Sequence, residues 1–282
     1  MYATGARKVE PASRGAVTGV AATCIRGGGG VLGLKGVVKS FGNLKAVGGV
    51  DLDVAPNRIT GVIGPNGAGK TTLFNLIAGS LKPDAGEVVF DGRRLDGLSP
   101  DRIFRHGLAR TFQIPRPFPG MTVLENAMLV PLDQTGERFW TNWTRPGRVA
   151  REERNARERA VEILGFCGLG DRLGHMAGTL SGGQQKLLEL ARVLMIDPKM
   201  ILLDEPAAGV NPALMETLVD KILALHARGV TFLIIEHNMD LVMRICRPIV
   251  VMAEGRVIFE GDPDEIQRHP EVIDAYLGQA GA

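Results

Sequence analysis

Four short segments, in a fixed order along the chain, hold the residues that could do chemistry. The first is glycine-rich and consists of Gly64, Pro65, Asn66, Gly67, Ala68, Gly69, Lys70, Thr71 and Thr72. A second glycine-rich segment occupies residues 181–184, an apolar run then ends in Asp204 and Glu205, and His237 follows the next apolar run. One glycine-rich loop could arise by chance in a chain with 37 glycines, but the ordered set indicates a nucleotide-driven motor.

The residue types of segment 64–72 suit a loop that holds nucleotide phosphates. Its glycines let successive backbone N–H groups point at the phosphates, and the following helix adds the positive end of its dipole. Lys70 is expected to reach the β- and γ-phosphates, and the Thr71 hydroxyl is expected to bind Mg²⁺. The alternative is a glycine-rich turn without a ligand. A β-type run at 59–63 before the loop and a helical pattern at 71–78 after it disfavour that alternative.

Two adjacent acids follow the apolar run at residues 200–203. Such a continuously apolar run is typical of a parallel strand covered on both faces. Asp204, at the end of this strand, is expected to face the phosphate loop and to hold Mg²⁺ through water. Because side chains alternate along a strand, the Glu205 carboxylate should point elsewhere, and we expect it to polarise the attacking water. The alternative for Glu205 is an exposed acid at a strand end.

The second glycine-rich segment has the sequence of a helix start. Ser181 with Gln184 three residues later is the pattern of a capping box, and Gly182 and Gly183 between them leave the helix N-terminus open to an anion. The alternative is an ordinary helix cap, which does not need the two glycines. One molecule has no obvious use for two phosphate-binding helix starts around a single ATP. The pair therefore predicts two molecules arranged head to tail.

Composition limits the class of protein. A chain of 282 residues with 45% hydrophobic and 23% charged residues allows one large globular domain, with or without a subdomain. The net charge of +2 does not favour nucleic acid or an anionic membrane as a bulk partner. Cys24, Cys167 and Cys246 are far apart, which argues against a disulfide framework or a cysteine metal site. No run approaches the roughly 18–20 apolar residues that span a bilayer, so we expect membrane attachment through partner proteins.

The pattern along the chain predicts an α/β fold. Residues 1–30 contain four consecutive glycines and few large side chains, so we expect a disordered extension before a domain at 31–282. Short β-type runs open the domain, with a hairpin turn signal at 91–92, and the segment at about 95–180 is more polar and helical. After residue 180, strands and helices alternate, which indicates a parallel sheet with helices on both faces.

The ordered segments resemble the ATP-binding cassette family over residues 32–278. The resemblance implies a P-loop NTPase fold with a mostly parallel core sheet, an antiparallel β subdomain and a helical subdomain at about 95–180. It implies ATP and Mg²⁺ as cofactors and ATP hydrolysis as the reaction. It also implies that residues 181–184 of one subunit close on the γ-phosphate held by the phosphate loop of a second cassette subunit.

The same resemblance assigns roles to three further residues. Gln113 matches the family's Q-loop, which senses the γ-phosphate and Mg²⁺ and faces the membrane partner. His237 matches the histidine that contacts the γ-phosphate, although a lone histidine at a strand end is more often structural. Phe41 matches the aromatic residue that stacks on adenine, although composition alone equally allows a core residue.

Longer stretches resemble the ATP-binding subunits of bacterial branched-chain amino-acid importers. These stretches are the segments 107–126 and 204–212, an insertion around Trp140 and Trp143, and the tail 272–278. The resemblance implies a peripheral protein on the cytoplasmic face of the inner membrane that powers uptake of branched-chain or related hydrophobic amino acids. The implied partners are a second cassette subunit, two transmembrane permease subunits and, indirectly, a periplasmic or extracellular substrate-binding protein. No nucleic acid is implied.

Two other classes of function stay open at this point. A soluble cassette ATPase of DNA repair or translation usually has a coiled-coil insertion, two fused cassettes or a basic surface, whereas this chain has one cassette and a net charge of +2. The cassette of a lipid or lipopolysaccharide exporter resembles this chain at residues 208–210, but the insertion around Trp140 favours the amino-acid branch.

The loop after Gln113 is a candidate for contact with the membrane partner. Residues 114–126 include several apolar side chains and an arginine close together. Apolar groups on a loop need a cover, and two covers are possible here. The loop either packs on the cassette's own helices or forms the groove for a short cytoplasmic helix of the permease.

Overall fold

The computed structural model describes residues 31–111, 117–130 and 146–277. Three predictions fall on residues outside these ranges. The first is the disordered extension at 1–30, the second is the role of Gln113 in the Q-loop, and the third concerns Trp140 and Trp143 of the insertion.

The first described part of the chain forms an antiparallel sheet. Its strands are β1 (Leu32–Phe41), β2 (Leu44–Val54), β4 (Ala85–Phe90) and β5 (Arg93–Arg94), in the spatial order β2-β1-β4-β5. Asp91 and Gly92 connect β4 to β5, and both have a positive φ (48° and 74°), as tight two-residue hairpins require. The hairpin turn predicted at 91–92 is confirmed.

A second sheet, of six strands, forms the centre of the fold. Its strands are β3 (Ile59–Ile63), β6 (Leu108–Arg110), β7 (Met200–Asp204), β8 (Thr231–Ile235), β9 (Ile249–Ala253) and β10 (Arg256–Gly261). They lie in the order β10-β9-β3-β8-β7-β6, and only β10 is antiparallel to its neighbour. Every residue of β3, β7 and β8 is buried, as expected for parallel strands covered on both faces. The prediction of a mostly parallel core sheet and a separate antiparallel sheet is confirmed.

The described ranges also contain a set of α-helices. They are α1 (Lys70–Ile77), α2 (Pro100–Arg105), α3 (Val123–Met128), α4 (Pro146–Phe166), α5 (Gly182–Leu194), α6 (Pro212–His226), α7 (Met239–Ile245), α8 (Pro263–Ile266) and α9 (Pro270–Leu277). The Asn211 side chain accepts a hydrogen bond from the N–H of Leu214, which caps α6 ahead of Pro212 as predicted. None of these helices is long and apolar enough to cross a membrane.

Two hydrophobic cores lie on opposite faces of the six-stranded sheet because side chains alternate along its strands. Leu202 and Leu233 belong to the core that the sheet shares with α1 and the antiparallel sheet. Ile201 and Phe232 belong to the core on the helical side. That second core includes the apolar stripe predicted for α5, which consists of Leu187, Leu190, Ala191 and Leu194.

Part of the segment predicted as helical, at about 95–180, is β structure instead. The short strand β6 pairs with β7 at one edge of the central sheet, and its residues Leu108 and Ala109 are buried. A run of three residues is too short to show the two-residue period that distinguishes a strand from a helix, so the pattern missed it. After β6, the α-helices among the described residues of this segment are α3 and α4. The capping box predicted for Thr122 and Glu125 at the start of α3 is confirmed.

Candidate nucleotide-binding site

Three neighbouring strands of the central sheet bring the predicted site residues to one edge. Strands β3, β8 and β7 are adjacent and parallel, so their carboxyl ends lie at the same edge. The loop at 64–69 follows β3, Asp204 is the last residue of β7, and His237 comes two residues after β8. Ligands of open α/β sheets bind outside the carboxyl ends of the strands. The residues predicted from separate parts of the chain therefore share one location.

Close backbone packing explains two of the glycines in the loop. A Cβ atom on Gly64 would overlap the carbonyl oxygen of Met252, and one on Gly69 would overlap the carbonyl oxygen of Ala46. Both glycines also have a positive φ, 148° and 94°. Gly67 has a positive φ of 78° as well, but nothing lies within 4 Å of its Cβ position. Gly64 and Gly69 therefore seat the loop against neighbouring strands, and Gly67 leaves its exposed side clear for a ligand.

Lys70 is the first residue of α1 and is enclosed by the loop that precedes it. Only 6% of the residue is exposed, and Nζ donates hydrogen bonds to the carbonyl oxygens of Gly64 at 2.7 Å and Pro65 at 2.9 Å. Burial lowers the pKa of Lys70, and the Glu205 carboxylate partly opposes that effect. The outer turn of the loop, residues 66–67, is exposed. A cation behind an exposed turn at a helix N-terminus is suited to an anionic ligand.

We expect Gly69→Ala to lower the free energy of unfolding by roughly 2–4 kcal/mol, because the new methyl group would overlap β2 and occupy a left-handed conformation. Urea unfolding without nucleotide measures this loss. The matched control is Gly42→Ala, since Gly42 also has a positive φ (58°) but has nothing within 4 Å of its Cβ position. The control should lose only about 1–2 kcal/mol. Equal losses in the two variants would show that close packing at residue 69 does not fix the loop.

Asp204 is buried at the end of β7, and an arginine holds one of its oxygens. Nη2 of Arg110 donates to Oδ2 of Asp204 at 2.7 Å, and Nη1 of Arg110 donates to Oδ1 of Asn75 at 2.6 Å. Because Asp204 is only 6% exposed, this ion pair offsets the cost of burying its charge. The pair joins β6, β7 and α1 at the site and orients the carboxylate.

The backbone changes direction at Glu205, directly after β7. The φ of Glu205, 49°, lies in the left-handed region, so the chain turns sharply after β7. Oε1 of Glu205 lies 3.0 Å from Nε2 of His237. The Asp204 and Glu205 carboxylates contact different partners, Arg110 and His237. The left-handed conformation of Glu205 means that strand alternation, the reason given in the prediction, does not apply at this residue. The side chains of Glu205 and His237 are 21% and 45% exposed, so both can contact a ligand and water.

The helix start at residues 181–184 forms as its sequence predicts. Oγ of Ser181 accepts the N–H of Gln184 at 3.3 Å, and Oε1 of Gln184 accepts the N–H of Ser181 at 3.0 Å, which confirms the capping box. Gly182 is exposed and has nothing within 4 Å of its Cβ position, whereas a Cβ on Gly183 would overlap the Leu214 side chain. Gly183 therefore packs on the start of α6, and Gly182 leaves the N-terminus of α5 open.

Phe41, at the end of β1, is exposed. The residue is 49% exposed, and Nζ of Lys39 lies 5.8 Å from the centre of its ring. The core role that composition allowed for Phe41 is thereby excluded. An exposed ring at a strand end is available for stacking on a planar group.

The residues that could hold a metal ion are few. Thr71 is exposed at the start of α1, and Asp204 faces the same edge. Within the described ranges, no group of three or more His, Cys, Asp or Glu side chains could hold a metal ion. Mg²⁺ at nucleotide sites usually has phosphate oxygens and one or two protein side chains among its ligands.

Three charged residues contact the site although sequence reasoning did not single them out as functional. Arg110 pairs with Asp204, Lys186 of α5 donates to carbonyl groups of residues 205–208, and Glu236 accepts hydrogen bonds from backbone N–H groups on both sides of the site. Two of them, Arg110 and Glu236, lie at or just after the carboxyl end of a buried strand. That position is a signal which sequence reasoning could have used for these two.

Comparisons with known sequences agree with this geometry. The chain matches the family model for ABC transporters over residues 47–208 and the model for branched-chain amino acid ATP-binding cassette transporters over residues 256–282. It is 43% identical to a probable branched-chain amino acid transport ATP-binding protein, LivG, of Archaeoglobus fulgidus, over 88% of this chain and 95% of that protein. It is 41% identical to the high-affinity branched-chain amino acid transport ATP-binding protein BraF of Pseudomonas aeruginosa, over 89% of this chain and 98% of that protein.

Solved structures give the same result. A nucleotide-free ATP-binding cassette from an ABC transporter superposes with a TM-score of 0.75 at 40% identity, covering 87% of this chain and 98% of that chain. The ADP conformation of another ATP-binding cassette of an ABC transporter superposes with a TM-score of 0.73 at 37% identity, covering 88% and 98%. A dimeric cassette bound to ADP and Pi superposes with a TM-score of 0.69 at 26% identity, covering 82% and 98%.

Proposed function

This chain belongs to the ABC transporter family of ATP-binding cassettes, and from that premise we propose that it powers the import of branched-chain or related hydrophobic amino acids. It is an ATP-hydrolysing subunit whose reaction is coupled to transport. Relatives described as branched-chain amino acid transport ATP-binding proteins support the substrate class, as does the family-specific match at residues 256–282. The same findings favour this assignment over a lipid exporter or a DNA-repair ATPase.

The contact between Glu205 and His237 supports their assignment as the hydrolytic residues. Glu205 and His237 come from the ends of adjacent strands, lie 3.0 Å apart and share the edge of the sheet with Lys70. In our proposal the Glu205 carboxylate polarises the attacking water, and His237 contacts the γ-phosphate. A positioned general base of this kind typically contributes about 10²–10⁴-fold to a rate.

We propose that ATP and Mg²⁺ bind at this edge. The exposed turn of the loop at 64–72 and the N-terminus of α1 hold the phosphates, and Lys70 contributes its charge. Phe41 stacks on the adenine ring. Thr71 and Asp204 hold Mg²⁺ together with Gln113, which lies outside the described residues. The ion neutralises charge that develops on the phosphates.

The proposed partners follow from the second helix start and from the family. Residues 181–184 close on the γ-phosphate of a second cassette subunit, which is either another copy or a sister ATPase. Two permease subunits bind the cassettes at the cytoplasmic face of the membrane, and a substrate-binding protein outside the membrane delivers the amino acid to the permeases. This part of the proposal is supported by relatives described as transport proteins and by the solved cassette dimer.

The described end of the loop after Gln113 has the properties of a docking surface. The N–H of Phe118 donates to the side chain of the fully buried Asn126 at 2.8 Å, and the Asn126 amide donates back to the Phe118 carbonyl at 3.0 Å. Phe118 is nevertheless 49% exposed, and Met176, on a segment that is hydrogen-bonded to Met121, is 51% exposed. A fixed backbone with exposed apolar side chains suits a partner helix. We propose that this surface accepts the permease.

We expect Phe118→Ala to leave the ATP affinity of the isolated subunit within about twofold of wild type. Uptake by the assembled transporter should fall roughly tenfold, because the aromatic side chain that the permease would cover is lost. Uptake of labelled leucine, isoleucine and valine into proteoliposomes with the two permeases measures this effect. Leu223→Ala is the control, since Leu223 is 41% exposed on α6 and belongs to no site proposed here. Unchanged uptake, or misfolding of Phe118→Ala, would remove Phe118 from the docking surface. If the wild-type vesicles hydrolyse ATP but take up none of the three amino acids, the substrate assignment fails.

A further inference from the structure

The segment after Glu205, residues 205–208, is a tight turn in a strained conformation. Glu205 has a φ of 49°, and a non-glycine residue adopts this left-handed conformation only at a cost. Its N–H donates to the carbonyl of Ile235 at 2.9 Å, and its carbonyl accepts the N–H of Ala208 at 3.1 Å. Strained backbone persists only where its surroundings hold it. The contacts on this turn therefore decide where the Glu205 carboxylate lies.

Lys186 of α5 holds this turn from one side. Its Nζ donates to the carbonyl oxygens of Glu205 at 3.1 Å, Pro206 at 3.0 Å and Ala208 at 2.7 Å. Burial lowers the pKa of Lys186, and nearby carboxylates partly oppose that effect. Three carbonyl groups match the three donors of one ammonium group. The helix that starts at Ser181 is thereby joined to the turn that carries Glu205.

Glu236 holds the same turn from the other side and also holds the loop of His237. The residue is 3% exposed, its Oε1 accepts the N–H of Ala207 at 2.6 Å, and its Oε2 accepts the N–H groups of His237 at 2.9 Å and Asn238 at 3.0 Å. A buried carboxylate requires such donors, and charge-assisted hydrogen bonds are stronger than neutral ones. One buried side chain therefore joins the turn after β7 to the loop after β8.

We propose that Glu236 and Lys186 are positioning residues for ATP hydrolysis, which fix the turn 205–208 and the loop 237–238 so that Glu205 and His237 keep their contact. The proposal rests on the hydrolytic roles proposed above for Glu205 and His237. Lys186 and Glu236 reach these two segments through hydrogen bonds to their backbone atoms. A displacement of reacting groups by about 1 Å can cost about 10²-fold in rate, so a loose turn would slow hydrolysis without weakening ATP binding.

Glu236→Gln tests this role with almost no change of shape, because the new NH₂ group cannot accept the N–H groups that one carboxylate oxygen accepts. We expect kcat for ATP hydrolysis to fall about 10- to 100-fold while KM and the Kd for ATP stay within about twofold of wild type. Amide hydrogen exchange at residues 207, 237 and 238 should become faster, whereas exchange within β8 should stay unchanged. The matched control is Glu216→Gln, whose exposed carboxylate pairs with Arg244, and both readouts should stay at wild-type values.

A double-mutant comparison separates positioning from a general loss of structure. In a His237→Ala background, Glu236→Gln should lower kcat by less than about twofold, because the contact that it maintains is already absent. Lys186→Met should lower kcat without a change in KM, whereas Lys199→Met, at an exposed lysine, should have no effect. Full additivity of Glu236→Gln with His237→Ala, or an equal fall in ATP affinity and kcat, would overturn the proposal.

The outcomes also distinguish this inference from the proposed function. Normal turnover by Glu205→Gln would show that Glu205 is not the general base. Both the proposed hydrolytic role and the positioning role would then fail. Slow turnover by Glu205→Gln, combined with normal turnover and faster amide exchange in Glu236→Gln, would overturn only the positioning role.

Discussion

Glu205→Gln is expected to bind Mg²⁺-ATP normally and to turn it over at least about tenfold more slowly than the wild-type protein. The glutamine keeps the size of the side chain and leaves the phosphate loop untouched, so binding should persist. It cannot accept a proton from water, so the proposed general base is lost. Steady-state phosphate release and the Kd for a fluorescent ATP analogue, measured on the same preparation, separate the two effects.

The control for this variant is Glu254→Gln. Glu254 is also a non-glycine residue in the left-handed region (φ 50°), it is exposed, and it lies in the turn between β9 and β10. The two substitutions therefore make the same chemical change in the same backbone conformation. Only the change at residue 205 should slow hydrolysis. Near-normal turnover by Glu205→Gln would remove Glu205 from the catalytic role.

The features that could be predicted from the sequence are those that depend on neighbouring residues. The capping boxes at Thr122 and Ser181 each need a partner only three residues later, and both form as expected. The buried strands β7 and β8 are continuous apolar runs, so their type and place could be recognised from composition alone. The position of Asp204 at the end of a buried strand predicted that it faces the phosphate loop, whereas the role of His237 was implied only by the family resemblance. The two meet in the structure because the carboxyl ends of parallel strands share an edge.

The features that the sequence did not show depend on contacts between distant segments. Arg110 pairs with Asp204 across 94 residues, and Glu236 binds the N–H of Ala207 across 29 residues. The strand-end positions of Arg110 and Glu236 mark the two residues, but no local feature of the sequence identifies their partners, since other charged or polar groups would fit the pattern equally well. The left-handed conformation of Glu205 was also missed, because a glutamate is an unusual residue at positive φ and is held there by hydrogen bonds from elsewhere in the fold.

ATP is expected to convert the Glu205→Gln protein from a monomer to a dimer. The phosphate loop has an exposed outer turn, and the N-terminus of α5 at Gly182 is also exposed. In the chain itself, Gly183 packs that helix start on Leu214 of α6. Bringing a second chain's helix start onto the bound γ-phosphate would satisfy its open N–H groups with an anion. Slow hydrolysis in the variant should let the closed dimer accumulate.

Two substitutions at exposed glycines sharpen this prediction. Gly182→Asp puts a negative charge at the open helix start, where it would repel a phosphate, and nothing within 4 Å of the Cβ position hinders the fold. Gly174→Asp makes the same change at an exposed glycine with equally open surroundings. In the Glu205→Gln background, only Gly182→Asp should prevent the ATP-dependent dimer.

Light scattering of the Glu205→Gln protein with and without saturating ATP tests the central claim that two cassettes complete one ATP site. We predict a molar mass twice that of the monomer when ATP is present, either for the chain alone or after mixing with a sister cassette. On addition of ATP, the mass of the Glu205→Gln protein should double when it also carries Gly174→Asp. It should stay that of the monomer when the protein carries Gly182→Asp instead. A monomer mass in saturating ATP under both conditions would contradict the account.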